Sequence, residues 1–199
     1  MAKIQQTISP IDGSVYVERE LATPQMIEQT LQQAVEAQRQ WKQTSLQERA
    51  KVCTQMVDFL VGKAHLYAEQ LTWQMGRPIK YTPFEITGGF QERAKHMISL
   101  AESSLQDIQV EPQKGFQRFI RREPLGTVLV LAPWNYPYLT AVNSIIPAIM
   151  SGNSVILKHS DQTPLVSEHF SEAFDAVGLP KGVFQHIHMT HDDVAEVID

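Results

Sequence analysis

From Thr127 to Ala132 the sequence reads TVLVLA, a run of apolar and β-branched residues with no charge in it. Such a run is expected of a strand buried on both faces. Two more short strands of this kind follow, Ser154 to Lys158 (SVILK) and Val183 to His188 (VFQHIH). A helical stretch from Tyr138 to about Ser151, closed by Gly152, separates the first pair. Thr163-Pro164 starts the next helix, and Gly178 ends it before Pro180. Thr190 opens a last helix, with Asp193 in the capping-box position. Strand, helix, strand, helix, strand, helix is the order of a parallel sheet with right-handed crossovers. An α/β fold is therefore predicted, with ligand chemistry beyond the carboxyl ends of the strands.

Upstream, an apolar segment to Ile8, a turn over Ser9-Pro10-Ile11-Asp12-Gly13 and a return at Val15 to Val17 read as a hairpin. Helices follow. Thr23-Pro24 pairs a capping residue with a proline at the first helical position, and Ile27, Leu31, Ala34 and Trp41 share one face. Ser45-Leu46-Gln47-Glu48 has the capping-box pattern, and Gly76 and Pro78 end the helix that holds Leu66 and Leu71. Thr82-Pro83-Phe84-Glu85 starts another helix, in which Gly88-Gly89 costs propensity and suits close packing against a neighbour. Trp41, Trp73 and the methionines read as packing residues. Around Lys114-Gly115 two extended segments are expected, carrying Ile108, Val110, Phe116, Phe119 and Ile120. Arg118, Arg121 and Arg122 keep the second of them soluble and guard its edge.

Charge excludes whole classes of partner. With 17 basic against 22 acidic residues the net charge is −5, which offers no footprint for nucleic acid or an anionic membrane. The opening MAKIQQTISP has no apolar stretch of the secretory kind, and no run suggests a spanning helix. A single cysteine, Cys53, excludes an intrachain disulfide. A cytoplasmic protein is the expectation.

Two polar constellations fall at strand ends. Pro133-Trp134-Asn135-Tyr136-Pro137 follows the first strand, and Lys158-His159-Ser160-Asp161 follows the second. A lysine ending a buried strand can reach ribose or phosphate oxygens, and a nearby carboxylate can accept from ribose hydroxyls. An ordinary surface lysine in an ordinary loop would have the same spacing.

The stretch PLGTVLVLAPWNYPYLTAVNSIIPAIMSGNSVILKHSDQTPL resembles the aldehyde dehydrogenase superfamily. PWNYP, the GN before the second strand, and the strand-ending lysine followed by TP carry the likeness together; Met75 to Ile79 (MGRPI) extends it upstream. The resemblance covers essentially the whole chain. It implies a Rossmann-like fold binding NAD or NADP without a G-x-G-x-x-G fingerprint. Residues 1–104 would supply hairpin and helices, 105–123 an oligomerisation arm, and 124–199 the βαβαβ nucleotide-binding segment of a homo-oligomer. By the same resemblance Asn135 is the side-chain donor of an oxyanion hole. Leu131, Ala132, Pro133 and Trp134 would line the nicotinamide side. Lys158, Ser160 and Asp161 would meet the adenosine ribose. Relatives often carry glutamate where Asp161 stands, and proline or a small residue where His159 stands, so NAD and NADP both stay open. The implied reaction oxidises an aldehyde to a carboxylic acid through a cysteine thiohemiacetal, with a glutamate activating water. In relatives both groups lie downstream of residue 199, so the catalytic domain is expected to be absent and the 199 residues alone inert.

Cys53 does not replace that thiol: spaced three residues from Ala50, four from Val57 and seven from Leu60, it sits on an apolar helical face. His186, His188 and His191 suggest a metal site, but no Cys, Asp or Glu partner stands at ligand spacing, and an extended segment entering a helix explains the pattern. No metal is expected. A non-catalytic nucleotide-binding or assembly module is the alternative function. A short-chain reductase is poorly supported, since a Gly-rich phosphate loop and a Tyr-x-x-x-Lys pair are both missing. Three parallel strands without further neighbours should expose apolar surface and self-associate. Size-exclusion chromatography with light scattering checks this; a well-behaved monomer would count against it.

Overall fold

The computed structural model describes residues 3–198. The chain opens with an antiparallel hairpin, β1 (Ile4–Ile8) and β2 (Val15–Glu20). Helix α1 (Pro24–Trp41) starts where Thr23 Oγ1 accepts from the Met26 amide, and buries Ile27, Ala34 and Trp41. At the start of α2 (Leu46–Gly62) Ser45 Oγ accepts from the Glu48 amide, so one half of the expected capping box is made. Helix α3 (Ala64–Met75) ends at Gly76 in the left-handed conformation.

The stretch with the paired glycines does not break its helix. Residues Glu85–Phe90 wind as a π-helix and run directly into α4 (Gln91–Leu105). A Cβ on Gly89 would lie 3.1 Å from the Leu139 side chain, so this glycine does admit a close neighbour. Then come β3 (Ile108–Gln109) and β4 (Phe119–Ile120), a two-residue antiparallel ladder with exposed Ile108, Phe116 and Ile120.

Next are β5 (Thr127–Ala132), α5 (Pro137–Met150), β6 (Ser154–His159), α6 (Leu165–Ala176), β7 (Phe184–His186) and α7 (His191–Ile198). The three strands form a parallel sheet in the order β5-β6-β7, with Leu131 opposite Lys158 and Leu157 opposite His186. The ladder of β7 is shorter than the sequence pattern suggests. Its paired register ends at His186; beyond it the Ile187 amide still donates to the Leu157 carbonyl (3.0 Å), and the His188 carbonyl accepts from the Ala22 amide (2.8 Å).

Alternation along β6 sorts the two faces. Val155 and Leu157 join a large core with α2, α5 and α6, while Ile156 joins a smaller one with Ile27, Ala34, Ile187 and Val194. Helix α1 therefore covers one face of the sheet and α5 with α6 the other. Gly152 shows how closely the layers fit: a Cβ there would lie 3.0 Å from the Arg49 guanidinium. Gly182 is tighter still. Its φ is +87°, and a Cβ would stand 2.8 Å from the Gln33 carbonyl oxygen and 2.9 Å from Ala37 Cβ on α1. Backbone cannot yield as a flexible side chain can. Gly182→Ala should therefore destabilise the fold by about 1–3 kcal/mol, read from urea midpoints. A variant melting with the parent would contradict this approach of α1 to the sheet.

Candidate functional site

Parallel strands carry their loops out at the same end, and the loops after β5 and β6 bound a crevice of about 370 Å³ there. It is lined by Leu131, Ala132 and Pro133 from one strand end and by Lys158, Ser160 and Asp161 from the other. His191 and Val194 of α7 complete it, and neither was singled out for this site from the sequence. Trp134 and Asn135 are not among the lining residues; they lie exposed on the loop beyond Pro133. Six of the eight candidates thus meet in one place, and two sit at its approach.

Lys158 is buried on β6, and its Nζ donates to Asp161 Oδ1 at 2.9 Å. Asp161 itself is exposed at its side chain, so the carboxylate stands at the crevice rim with the ammonium beneath it. The loop that carries them is fixed from far away. Thr7 Oγ1 on β1 donates to the Asp161 carbonyl (2.7 Å), and the Ser160 amide donates to the Ala132 carbonyl (2.9 Å). His159 points inward. Its Nδ1 accepts from the Ser160 amide at 2.9 Å, which leaves Nε2 to face the Pro137 carbonyl at 3.4 Å. Burial pushes this imidazole down to about 4, so it is neutral and structural, tying the two loops together.

The loop after β5 is held by residues that sequence reasoning did not place. Arg77 donates to the Asn135 carbonyl, stacks over the Tyr136 ring at 4.7 Å and pairs with Glu85. Glu85, buried in the π-helix, accepts from the Tyr138 and Leu139 amides at 2.8 and 3.1 Å. It thereby caps α5, whose own N-cap residue, Tyr136, makes no side-chain bond. Burial raises the Glu85 carboxyl, opposed by the Leu139 amide, by Arg77 and by the Tyr138 amide. The one available signal was Arg77 within MGRPI, but nothing in the residues said what it reaches across 58 positions.

Cys53 is fully buried, and burial pushes its thiol up to about 12. It cannot supply a thiolate at neutral pH. A second buried imidazole, His169, stacks on Tyr67 at 3.9 Å between ring centroids and contacts the Tyr138 hydroxyl at 2.6 Å. Burial pushes it too down to about 4.

The family model described as "Aldehyde dehydrogenase family" matches residues 2–198. Among curated relatives, an aldehyde dehydrogenase of Paenarthrobacter nicotinovorans is 29% identical over 97% of this chain and 43% of its own length. An NAD(P)+-linked succinate semialdehyde dehydrogenase of Escherichia coli is 27% identical over 96% of this chain and 41% of its own. Among solved structures, a succinic semialdehyde dehydrogenase from Streptococcus pyogenes, in complex with NADP+, superposes with a TM-score of 0.90 at 26% identity. It covers 98% of this chain and 42% of that one. The chain spans 34–43% of the length of the curated relatives it matches.

His159 and His169 both titrate below their ordinary value of 6.5, so each contributes stability above 6.5 that is lost as pH falls toward about 4. Urea midpoints should fall over that window, and His159→Gln should flatten part of the slope. A midpoint constant from pH 7 to pH 4 would mean that protons reach these rings freely.

Proposed function

The chain belongs to the aldehyde dehydrogenase family, and on that premise we propose that it is the dinucleotide-binding portion of an enzyme that oxidises an aldehyde to a carboxylic acid with NAD+ or NADP+. The observation that carries this reading is the Lys158–Asp161 pair at the mouth of the crevice beyond β5 and β6. Its donor set fits a dinucleotide. The Lys158 ammonium offers protons to ribose oxygens, Asp161 and the Ser160 hydroxyl accept from ribose hydroxyls, and Leu131, Ala132 and Pro133 give a mainly apolar wall for the nicotinamide end, with Trp134 beside it. Bound there, the nicotinamide would supply the hydride acceptor.

The remaining chemistry falls to protein groups. A cysteine thiolate from outside these 199 residues adds to the aldehyde carbonyl, since Cys53 is buried and protonated. Asn135 donates its amide N–H to the oxygen that becomes negative in that addition. Its exposed position on the loop leaves the amide available, and Arg77 fixes the loop by its bond to the Asn135 carbonyl. In this reading these residues hold the dinucleotide and position the reactants within the enzyme.

We place the protein in the cytoplasm; among the described residues no helix is long and apolar enough to cross a membrane. Residues 105–123 serve as the arm of a homo-oligomer, a role that suits the exposed Ile108, Phe116, Phe119 and Ile120. Residues 124–199 hold the dinucleotide, and residues 1–104 brace them.

The test uses a polypeptide that carries these residues together with the nucleophile. Asn135→Ala should lower kcat by about 10²–10³-fold with KM for the dinucleotide nearly unchanged. Lys158→Ala should instead raise KM for the dinucleotide. Full kcat in Asn135→Ala, or an unchanged KM in Lys158→Ala, would overturn the corresponding assignment.

A further inference from the structure

The residue pattern alone gave His186 and His188 no acidic partner. The fold supplies one: Glu168, in the first turn of α6, meets both imidazoles where they emerge at the end of β7. We propose that Glu168, His186 and His188 form a binding site for a divalent transition-metal ion, Zn2+ foremost.

Distances support this. Glu168 Oε1 and His188 Nε2 are 3.1 Å apart. Two ligands on one tetrahedral zinc, with bonds of roughly 2.0–2.1 Å, stand about 3.3 Å apart. An ion fits between them by taking the place of the hydrogen now there. The donor atoms of all three residues lie within 4.8 Å of one another, so closing the set asks only a side-chain adjustment of His186.

An outer layer already orients the three. Ser171 Oγ contacts His186 Nδ1 at 2.6 Å, and with Nδ1–H donating to that hydroxyl Nε2 is the ligand atom. Arg19 of β2 grips Glu168 with two bonds, Nε to Oε1 at 2.7 Å and the terminal nitrogen to Oε2 at 2.9 Å. It fixes the carboxylate plane while His188 faces Oε1 from a separate direction. A depression of about 190 Å³, whose lining includes Glu20, Ala22, His186, Ile187 and His188, opens the two histidines to solvent.

The donor types choose the metal. Two imidazoles with one carboxylate suit zinc and its neighbours, whereas calcium or magnesium would ask for an all-oxygen set. Three protein ligands leave a position for water. Its placement would tie β2, α6 and the end of β7 to one point. This site needs no dinucleotide and does not depend on the proposed oxidation.

The full 199-residue chain, purified without a histidine tag and stripped with a chelator, should bind one equivalent of Zn2+ in calorimetry. Co2+ in its place should give the visible absorption of a tetrahedral centre. His186→Ala and His188→Ala should each weaken binding by roughly 100-fold or more, and Ser171→Ala by about 10–100-fold, as for other outer partners. Glu168→Gln keeps the shape of the side chain and serves if a histidine variant does not fold. His65→Ala, an exposed histidine on α3, should change nothing. Absence of stoichiometric binding, or binding that survives loss of both His186 and His188, would overturn the proposal.

Discussion

Helix α5 is tied at both of its ends to side chains from earlier elements, and much of the fold follows from that. It is the most apolar helix of the chain, with Tyr138, Val142, Ile145, Ile146 and Ile149 all buried. A helix buried in this way leaves free amides at its start and free carbonyls at its end. Where such a group is buried, leaving it unpaired would cost about 1–3 kcal/mol. Glu85 takes the amides of Tyr138 and Leu139. At the other end Trp41 Nε1 donates to the Ile149 carbonyl, Arg49 to that of Met150 and Gln38 to that of Gly152. Helices α1 and α2 and the π-helix are thereby bound to the strand-helix-strand unit they precede. The same device recurs at α6, where Gln74 Oε1 accepts from the Leu165 amide.

This arrangement makes the crevice a property of the whole chain. The backbone of Asn135 is held by Arg77, which is itself held by Glu85. The loop that bears Asp161 is held by Thr7 of the hairpin and by Gln162, which donates to the Gln74 carbonyl. Loops at strand ends are free to vary in sequence, but here their backbones are fixed by groups drawn from three distant segments. Proximity of this kind is what preorganised donors require, since a donor that must first be gathered stabilises little.

How far the sequence reveals all this depends on range. Periodicity and capping act over a few residues, and they predicted the three parallel strands, the hairpin, the cap at Thr23 and the turn at Gly76. The Thr190–Asp193 box is present in full, with Asp193 Oδ2 accepting from the Thr190 amide and hydroxyl and Thr190 Oγ1 from the Asp193 amide. That the loops beginning at Pro133 and Lys158 meet was legible because strand ends of a parallel sheet converge by rule, whereas Leu131 and Ala132 were added by the family resemblance. Glu85 was not legible: it reads as a first-turn residue of its own helix but serves another helix 53 residues on. Glu168 lies 20 residues before His188, too far for ligand spacing to suggest it. Such pairings are set by how layers stack, and no local pattern encodes them.

The π-helical stretch bears on how this lineage tolerates change in chain length. A π-turn holds one residue more than an α-turn of the same height. Loss of a single residue between Glu85 and Phe90 would let the segment relax to ordinary α geometry, with every hydrogen bond remade. Because the π-turn already holds the extra residue within one turn, α4 beyond it would keep nearly the same phase. Ala94 and Ala101, sealed against α2 and α5, would stay in the core. Insertions and deletions are ordinarily absorbed by loops, but here a wider turn inside continuous helix can take up a single residue and leave the packing beyond it in register.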